Sequence, residues 1–282
     1  MKRGLKYMII NKILNNNVVT VILNCEEAVV MGRGIGFQKK SGESIDEEKI
    51  EKIFKMENEK SNEKFKQLMI ETPPEYLSMT KEIVAIAEKE LGIELGELIY
   101  ILLTDHLSFA VIRANENISI ENPMLWEIKS LYKKEFKVGL EGINIVEKYT
   151  GIRLSEDEAG FIALHILNSA LNEDMYNTMN ITVLTNKLLN IIKKYFDIKF
   201  DEESLDYTRL LTHLKFFAQR IFKREQVEEE DVELYYIISN RYPEERKCID
   251  KIEQYIKKQF SYNLSKQEII YLIMHIRRFR KN

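Results

Sequence analysis

Two textures of hydrophobic spacing divide the chain. Near its start, the runs "MIINKIL" from Met8, "VVTVILN" from Val18 and "EAVVMGR" from Glu27 are rich in β-branched residues. Turn-forming clusters separate them: Asn15-Asn16-Asn17, then Asn24 to Glu27, then Gly34-Ile35-Gly36. "FQKK", residues 37–40, is the expected fourth strand. Four short strands make an antiparallel meander of about 50 residues, which is marginal as a lone fold and predicts a homodimer.

From about residue 43 the spacing changes. "SIDEEKIEKIFKMENEKSNEKFKQLM" is highly charged and predicts a solvated helix or linker. After "TPPE" a helical period begins in "EYLSMTKEIVAIAEKELG", with a stop at Gly92, and helical patterns continue almost to the end. A break falls near "NEDMYNT", residues 172–178. The expected fold is multidomain: a small antiparallel β-sheet N-terminal domain, then two homologous all-α helical bundle domains. The expected boundaries are 1–58 for the sheet domain, 59–72 for a linker, and 73–172 and 173–282 for the bundles.

The helical part repeats itself. "HLSFAVIR" (106–113) and "HLKFFAQR" (213–220) share His-Leu-x-Phe-x-x-x-Arg. Each is followed by a Pro-containing break, at Pro123 and Pro243, and then by Leu-Ser-x-x-Glu-x6-His-Ile. The chain has four histidines, and all occupy repeat-equivalent positions: His106 and His165, then His213 and His275. Each Leu-Ser-x-x-Glu is a capping-box signature, with Ser155 or Ser265 as N-cap and Glu158 or Glu268 three residues on. That register places Ala159, Ile162, Ala163, Ile166 and Ala170 on one apolar stripe. His165 then points away from it, at the edge of a polar face with Glu158, Phe161, Asn168 and Asn172, and is expected to be exposed; His275 sits likewise.

Two readings of such histidines compete. A histidine on a half-buried helix is commonly a packing residue. An exposed imidazole titrates near neutrality and its free nitrogen is a nucleophile, so it can accept a phosphoryl group. Arg113 and Arg220 are then either phosphate partners or members of ion pairs within their bundle. Asp105, beside the first histidine, could hydrogen-bond an imidazole; Thr212 takes its place in the second copy. Neither metal-ligand spacing nor a nucleophile motif accompanies the histidines, so no metal, cofactor or catalytic residue is expected and the chain does not read as an enzyme.

Charge sharpens the division. Residues 1–42 hold seven basic residues against Glu26 and Glu27, a balance of +5 within an overall −3, so the remainder carries −8. A basic head on an acidic body points to a polyanion at the head. Phe37 suits base stacking, Asn15 and Asn17 suit base edges, and Lys12, Arg33 and Lys39 suit phosphates, while Gly32 and Gly34 allow close backbone approach. The competing reading makes "NNN" and "GRGIG" plain hairpin turns. Cys25 and Cys248 stand alone, no signal peptide is evident, and no apolar stretch approaches the roughly 20 residues of a membrane span. A cytoplasmic protein without membrane insertion is expected.

The motifs "NKILNNNVV" (11–19), "VVMGRGIGFQKKSG" (29–42), "DHLSFA" (105–110), "EAGFIALHI" (158–166), "THLKFFAQR" (212–220) and "LIMHIRR" (272–278) closely resemble those of transcriptional antiterminators of the BglG/LicT type. The resemblance runs from Met8 to the end. It implies a co-antiterminator RNA-binding domain that dimerises and clamps an RNA hairpin, through Lys12, Asn15, Asn17, Gly32, Arg33 and Phe37. It further implies two phosphotransferase-system (PTS) regulation domains phosphorylated on histidine. His106 and His165 would take phosphate from a sugar-specific PTS enzyme II, which inhibits; His213 and His275 would take it from the general carrier protein HPr, which activates. A phosphohistidine relay protein and a DNA-binding activator with the same regulation domains are the alternatives. No helix-turn-helix pattern precedes the bundles.

Overall fold

The computed structural model describes residues 8–23, 26–55, 59–225 and 231–279; the basic stretch 1–7 and the start of the turn expected at Asn24 to Glu27 lie outside the described residues. Strands β1 (Ile10–Asn15), β2 (Val18–Leu23), β3 (Glu26–Met31) and β4 (Lys52–Phe54) form an antiparallel sheet in the order β1-β2-β3-β4. "FQKK" is not the fourth strand. Gln38 takes a left-handed φ of 56°, and the N–H groups of Phe37 and Lys39 donate back to Gly34 O and Gly36 O, so this stretch is turn. The fourth strand instead comes from the charged segment, pairing Phe54 with Val29 and Ile53 with Val30.

Period-2 alternation sends successive side chains to opposite faces, and here both faces are apolar. Ile10, Val19, Val21, Ala28 and Val30 form a small core with Ile35 and Ile45 from the loop after β3. Val18, Val29, Met31 and Phe54 face the other way and are equally buried. Helix α1 (Glu59–Glu71) lies against the sheet and buries Phe65 and Met69. The Phe54 ring packs edge-on against Phe65 at 5.0 Å and against Tyr100 at 5.1 Å. The expected solvated segment thus carries an apolar pair at i,i+4. The chain's own helices enlarge a core that the strands alone leave marginal.

Two compact units are present: residues up to 173 without 126–131, and residues 174–282 with 126–131. In the first, α2 (Pro74–Leu91) touches α3 (Leu98–Asn115) and α5 (Lys133–Thr150), and α6 (Glu156–Leu171) touches the same two, closing a four-helix ring. Gly92 ends α2 in the left-handed conformation (φ 70°), its N–H donating to Glu88 O at 2.9 Å, as the sequence predicts. A short helix, α4 (Leu125–Leu131), precedes α5. In the second unit α7 (Met175–Phe196), α8 (Leu205–Lys223), α10 (Pro243–Phe260) and α11 (Lys266–Phe279) close an identical ring, with α9 (Val232–Arg241) against α10 and α11. Among the described residues, only α3 reaches the length and mean hydropathy of a membrane span. Its apolarity serves two surfaces: Leu103, Leu107 and Ala110 are buried in the bundle, while Leu98, Leu102, Phe109 and Ile112 form an exposed stripe at helical spacing.

Candidate functional site

The candidate RNA-facing residues gather at one end of the sheet. Asn17 closes the β1–β2 turn, and its side-chain Oδ1 accepts the Gly34 N–H at 2.8 Å, tying that turn to the loop leaving β3. Gly32 donates its N–H to Asn17 O at 2.9 Å. A Cβ on Gly32 would lie 1.8 Å from the Lys49 carbonyl oxygen, so the chain itself makes the close approach that the sequence reading gave to RNA. Arg33 and Phe37 are exposed nearby, and Phe37 N–H donates to Gly34 O. Asn17, Gly32 and Arg33 line a cavity of about 480 Å³ together with Leu77, Ser78 and Lys81 of α2.

Asn15 is engaged otherwise. Its Oδ1 accepts from Asn17 N at 2.8 Å and its Nδ2 donates to Met69 O of α1 at 2.8 Å, so both ends of the amide serve the fold. Lys12 is exposed on β1 opposite Thr20, away from the turn, and Lys39 Nζ donates to Ser44 O at 3.1 Å. The loop cluster therefore comprises Asn17, Gly32, Arg33 and Phe37.

In the first bundle α3 and α6 bring His106 and His165 together, with ring centroids 4.9 Å apart and Phe161 5.8 Å from His106. The side of α6 expected to be polar and open is a seam against α3, where Glu158 and Asn168 are buried. His165 is half-buried and its Nδ1 is enclosed with no hydrogen-bond partner, correcting the expectation of an exposed imidazole. Burial first, then electrostatic repulsion from the neighbouring His106, pushes His165 down to about 3.

The expected capping box does not form here. Ser155 is the N-cap of α6 with extended φ/ψ, yet its side chain caps nothing. The Glu158 carboxylate lies 3.0 Å from His106 Nε2 and accepts from Arg113 Nη2 at 2.7 Å. Burial raises the Glu158 carboxyl, but His106 and Arg113 outweigh it and hold it below the ordinary value. Asp105, the carboxylate expected to orient an imidazole, is exposed; Glu158 is the one that reaches a ring.

The second bundle repeats the pairing with different surroundings. His213 of α8 and His275 of α11 approach to 3.8 Å between centroids. Here the capping box is complete: Ser265 N donates to Glu268 Oε2 at 3.0 Å, and Glu268 N to Ser265 Oγ at 3.2 Å. Tyr262 donates its hydroxyl to the same carboxylate at 3.1 Å, and Arg220 Nε lies 3.3 Å away. Glu268 is thereby fully occupied. Cations surround the histidines instead. Burial first, then Arg220 and Arg278, lower His213; burial, His213, Arg278 and Arg209 push His275 down to about 4.

Arg113 and Arg220 thus sit in ion pairs within their bundles. Sequence reasoning missed Glu158 as an imidazole partner and Tyr262 as a carboxylate clamp. The spacing of seven between Glu158 and His165 signals a shared face, but the capping reading absorbed that glutamate. Nothing in the local pattern marks Tyr262.

The chain matches the family model described as CAT RNA binding domain over residues 8–63, and that described as PRD domain twice, over 81–169 and 186–279. It is 46% identical over 275 residues to "Transcription antiterminator LicT" of Bacillus subtilis (strain 168), covering 97% of this chain and 99% of that one. It is 41% identical over 274 residues to "Beta-glucoside operon antiterminator" of Dickeya chrysanthemi, covering 97% of each. "Protein GlcT" of Staphylococcus aureus (strain Newman) is 33% identical over 276 residues, again covering 97% of each. Among solved structures, "Crystal structure of GlcT CAT-PRDI" is similar with a TM-score of 0.53 and 33% identity, over 58% of this chain and 98% of that one.

Proposed function

The chain belongs to the family of transcription antiterminators that join a CAT RNA binding domain to two PRD domains, and from that premise we propose a sugar-responsive switch for it. The head binds an RNA hairpin in a nascent leader and prevents the terminator from forming. Arg33 meets phosphate, Phe37 stacks on an unpaired base, and Asn17 presents its amide at the turn. Lys12 extends the basic track along β1.

Histidine phosphorylation sets the activity. The supporting observation is the recurrence, in two bundles of one chain, of two histidines brought to ring contact from 59 and 62 residues apart. HPr and a sugar-specific enzyme II of the PTS are the donors, and the setting is the cytoplasm, where both meet nascent RNA. Phosphate arriving at His106 adds negative charge at a seam between α3 and α6 that already holds the buried Glu158 on the other side of the ring. Phosphate at His213 or His275 instead meets Arg209, Arg220 and Arg278. Those surroundings suit inhibition through the first bundle and activation through the second. The active species is a homodimer, for which the exposed stripe of Leu98, Leu102, Phe109 and Ile112 on α3 offers a self-complementary face.

An antitermination reporter carrying the chain's own upstream leader tests this reading. The double variant H106A/H165A gives read-through without the inducing sugar, and R33A abolishes read-through in every background. Sugar dependence that persists in the double variant removes first-bundle control.

A further inference from the structure

The first bundle's two histidines differ in which ring nitrogen is left free. We infer that they accept phosphoryl groups on opposite nitrogens, His106 through Nδ1 and His165 through Nε2, and that Glu158 is the positioning residue making His106 the better acceptor. The inference rests on the histidine-phosphorylation reading above and deepens it.

His106 Nε2 and Glu158 Oε2 are both buried and face each other at 3.0 Å as an ion-pair contact without an aligned hydrogen bond, and neither atom has another partner, whereas His165 Nδ1 faces no carboxylate. A bare lone pair facing a carboxylate at that distance is repelled, so Nε2 carries the ring's hydrogen. A neutral imidazole has one N–H, which leaves the nucleophilic lone pair on Nδ1. Glu158 stays ionised to do this, being held by Arg113 at 2.7 Å as well. The same arrangement fixes the tautomer of metal-bound histidines through an outer carboxylate.

The chemistry balances without moving a proton. The Nδ1 lone pair attacks phosphorus of a carrier's phosphohistidine or phosphocysteine and forms the new N–P bond. The carrier's P–N or P–S bond breaks, and its electron pair leaves on that nitrogen or sulfur. The His106 ring, now substituted on Nδ1 and still hydrogen-bearing on Nε2, gains a positive charge. Glu158 neutralises that charge as it develops, in a site shielded from water.

His165 presents the reverse. Its Nδ1 is buried with no hydrogen-bond partner, beyond reach of a carrier's active site, so attack can come only through Nε2. That attack requires the hydrogen on Nδ1, a buried donor without an acceptor, and places charge on a ring beside His106 with no carboxylate of its own. The second bundle lacks this asymmetry, because the Tyr262 hydroxyl, the Ser265 N–H and Arg220 occupy Glu268.

Potassium phosphoramidate, a small phosphoryl donor, serves as the probe on the full-length protein. Peptides bearing His106 and His165 are separated at alkaline pH, and the isomer is read by 1H–31P correlation: phosphorus on Nδ1 couples only to Hε1, whereas phosphorus on Nε2 couples to both ring protons. The expected result is the Nδ1 isomer at His106, labelled faster, and the Nε2 isomer at His165. E158Q, which preserves shape and can still accept the Nε2 hydrogen, slows labelling of His106 about tenfold and leaves His165 unchanged. An Nε2 isomer at His106, or equal slowing of both residues by E158Q, overturns the inference while leaving phosphorylation intact. Absence of phosphohistidine from both peptides overturns the phosphorylation reading itself, and the inference with it.

Discussion

Set side by side, the two bundles show how one substitution redirects a buried charge. Both rings bring a histidine from the helix bearing His-Leu-x-Phe next to a histidine from the helix opened by Leu-Ser-x-x-Glu. In the second bundle Tyr262 stands two residues before Leu264, and its hydroxyl, with the Ser265 N–H, holds Glu268 at the helix start. In the first bundle that position is Ile152, which has no hydrogen to offer. Glu158 turns instead to Arg113 and His106. A motif shared letter for letter, Leu-Ser-x-x-Glu, therefore caps a helix in one copy and loads an imidazole in the other. The residue that decides lies outside the motif.

The strongest way to break this contrast is to remove each glutamate. Glu268 is fully enclosed and holds three donors, the Ser265 N–H, the Tyr262 hydroxyl and Arg220, so E268A removes both the capping box and a buried ion pair and costs about 3–5 kcal/mol. E158A costs less, about 2 kcal/mol, because it removes two partners, Arg113 and His106, and no helix cap. Urea denaturation of the two variants checks the order; an E158A loss as large as that of E268A would dissolve the distinction.

Acid sharpens it next. His165 and His275 have folded-state values of about 3 and about 4, far below the ordinary 6.5. Between those values and 6.5 the unfolded chain binds the proton and the folded chain does not. Stability is complete above pH 6.5 and falls as pH drops, by at most about 1.4 kcal/mol per pH unit for each histidine. Depressed Glu158 adds to the loss only below the ordinary carboxylate range. Urea midpoints from pH 7 to 5 should decline, and H165N or H275N should each flatten the slope; an unchanged slope in H165N would mean that its imidazole is solvated.

The smallest effect concerns the serines. S265A removes the Oγ that accepts the Glu268 N–H and costs about 1 kcal/mol, whereas S155A, with no side-chain cap to lose, costs a few tenths. Thermal denaturation resolves that difference, and equal shifts would mean that the first capping box also forms.

Much of the molecule is legible along the chain. Gly92 stops its helix where the pattern ends, the β-branched runs from Met8, Val18 and Glu27 become strands, and the duplicated frame becomes two rings of four helices. The fourth strand is misplaced because "FQKK" has strand-like composition but sits in a turn, while Ile53 and Phe54 hide among charges. His165 is misjudged for a related reason. A helix in a ring of four touches two neighbours, so α6 buries one face against α5 and a second against α3. A single apolar stripe describes only the first.

What the sequence determines by itself is therefore what local physics enforces: strand and helix periods, stops at glycine, the basic head, and the doubled frame that guarantees two similar bundles. Tertiary structure decides what each buried polar group does. The imidazole of His106 and the carboxylate of Glu158 lie 52 residues apart in the chain, and nothing in either neighbourhood encodes their meeting. A carboxylate buried at a helix start takes whichever donors the packing supplies. Ile152 or Tyr262 settles which donors those are, because a buried charge must be paired and a missing hydroxyl sends it elsewhere.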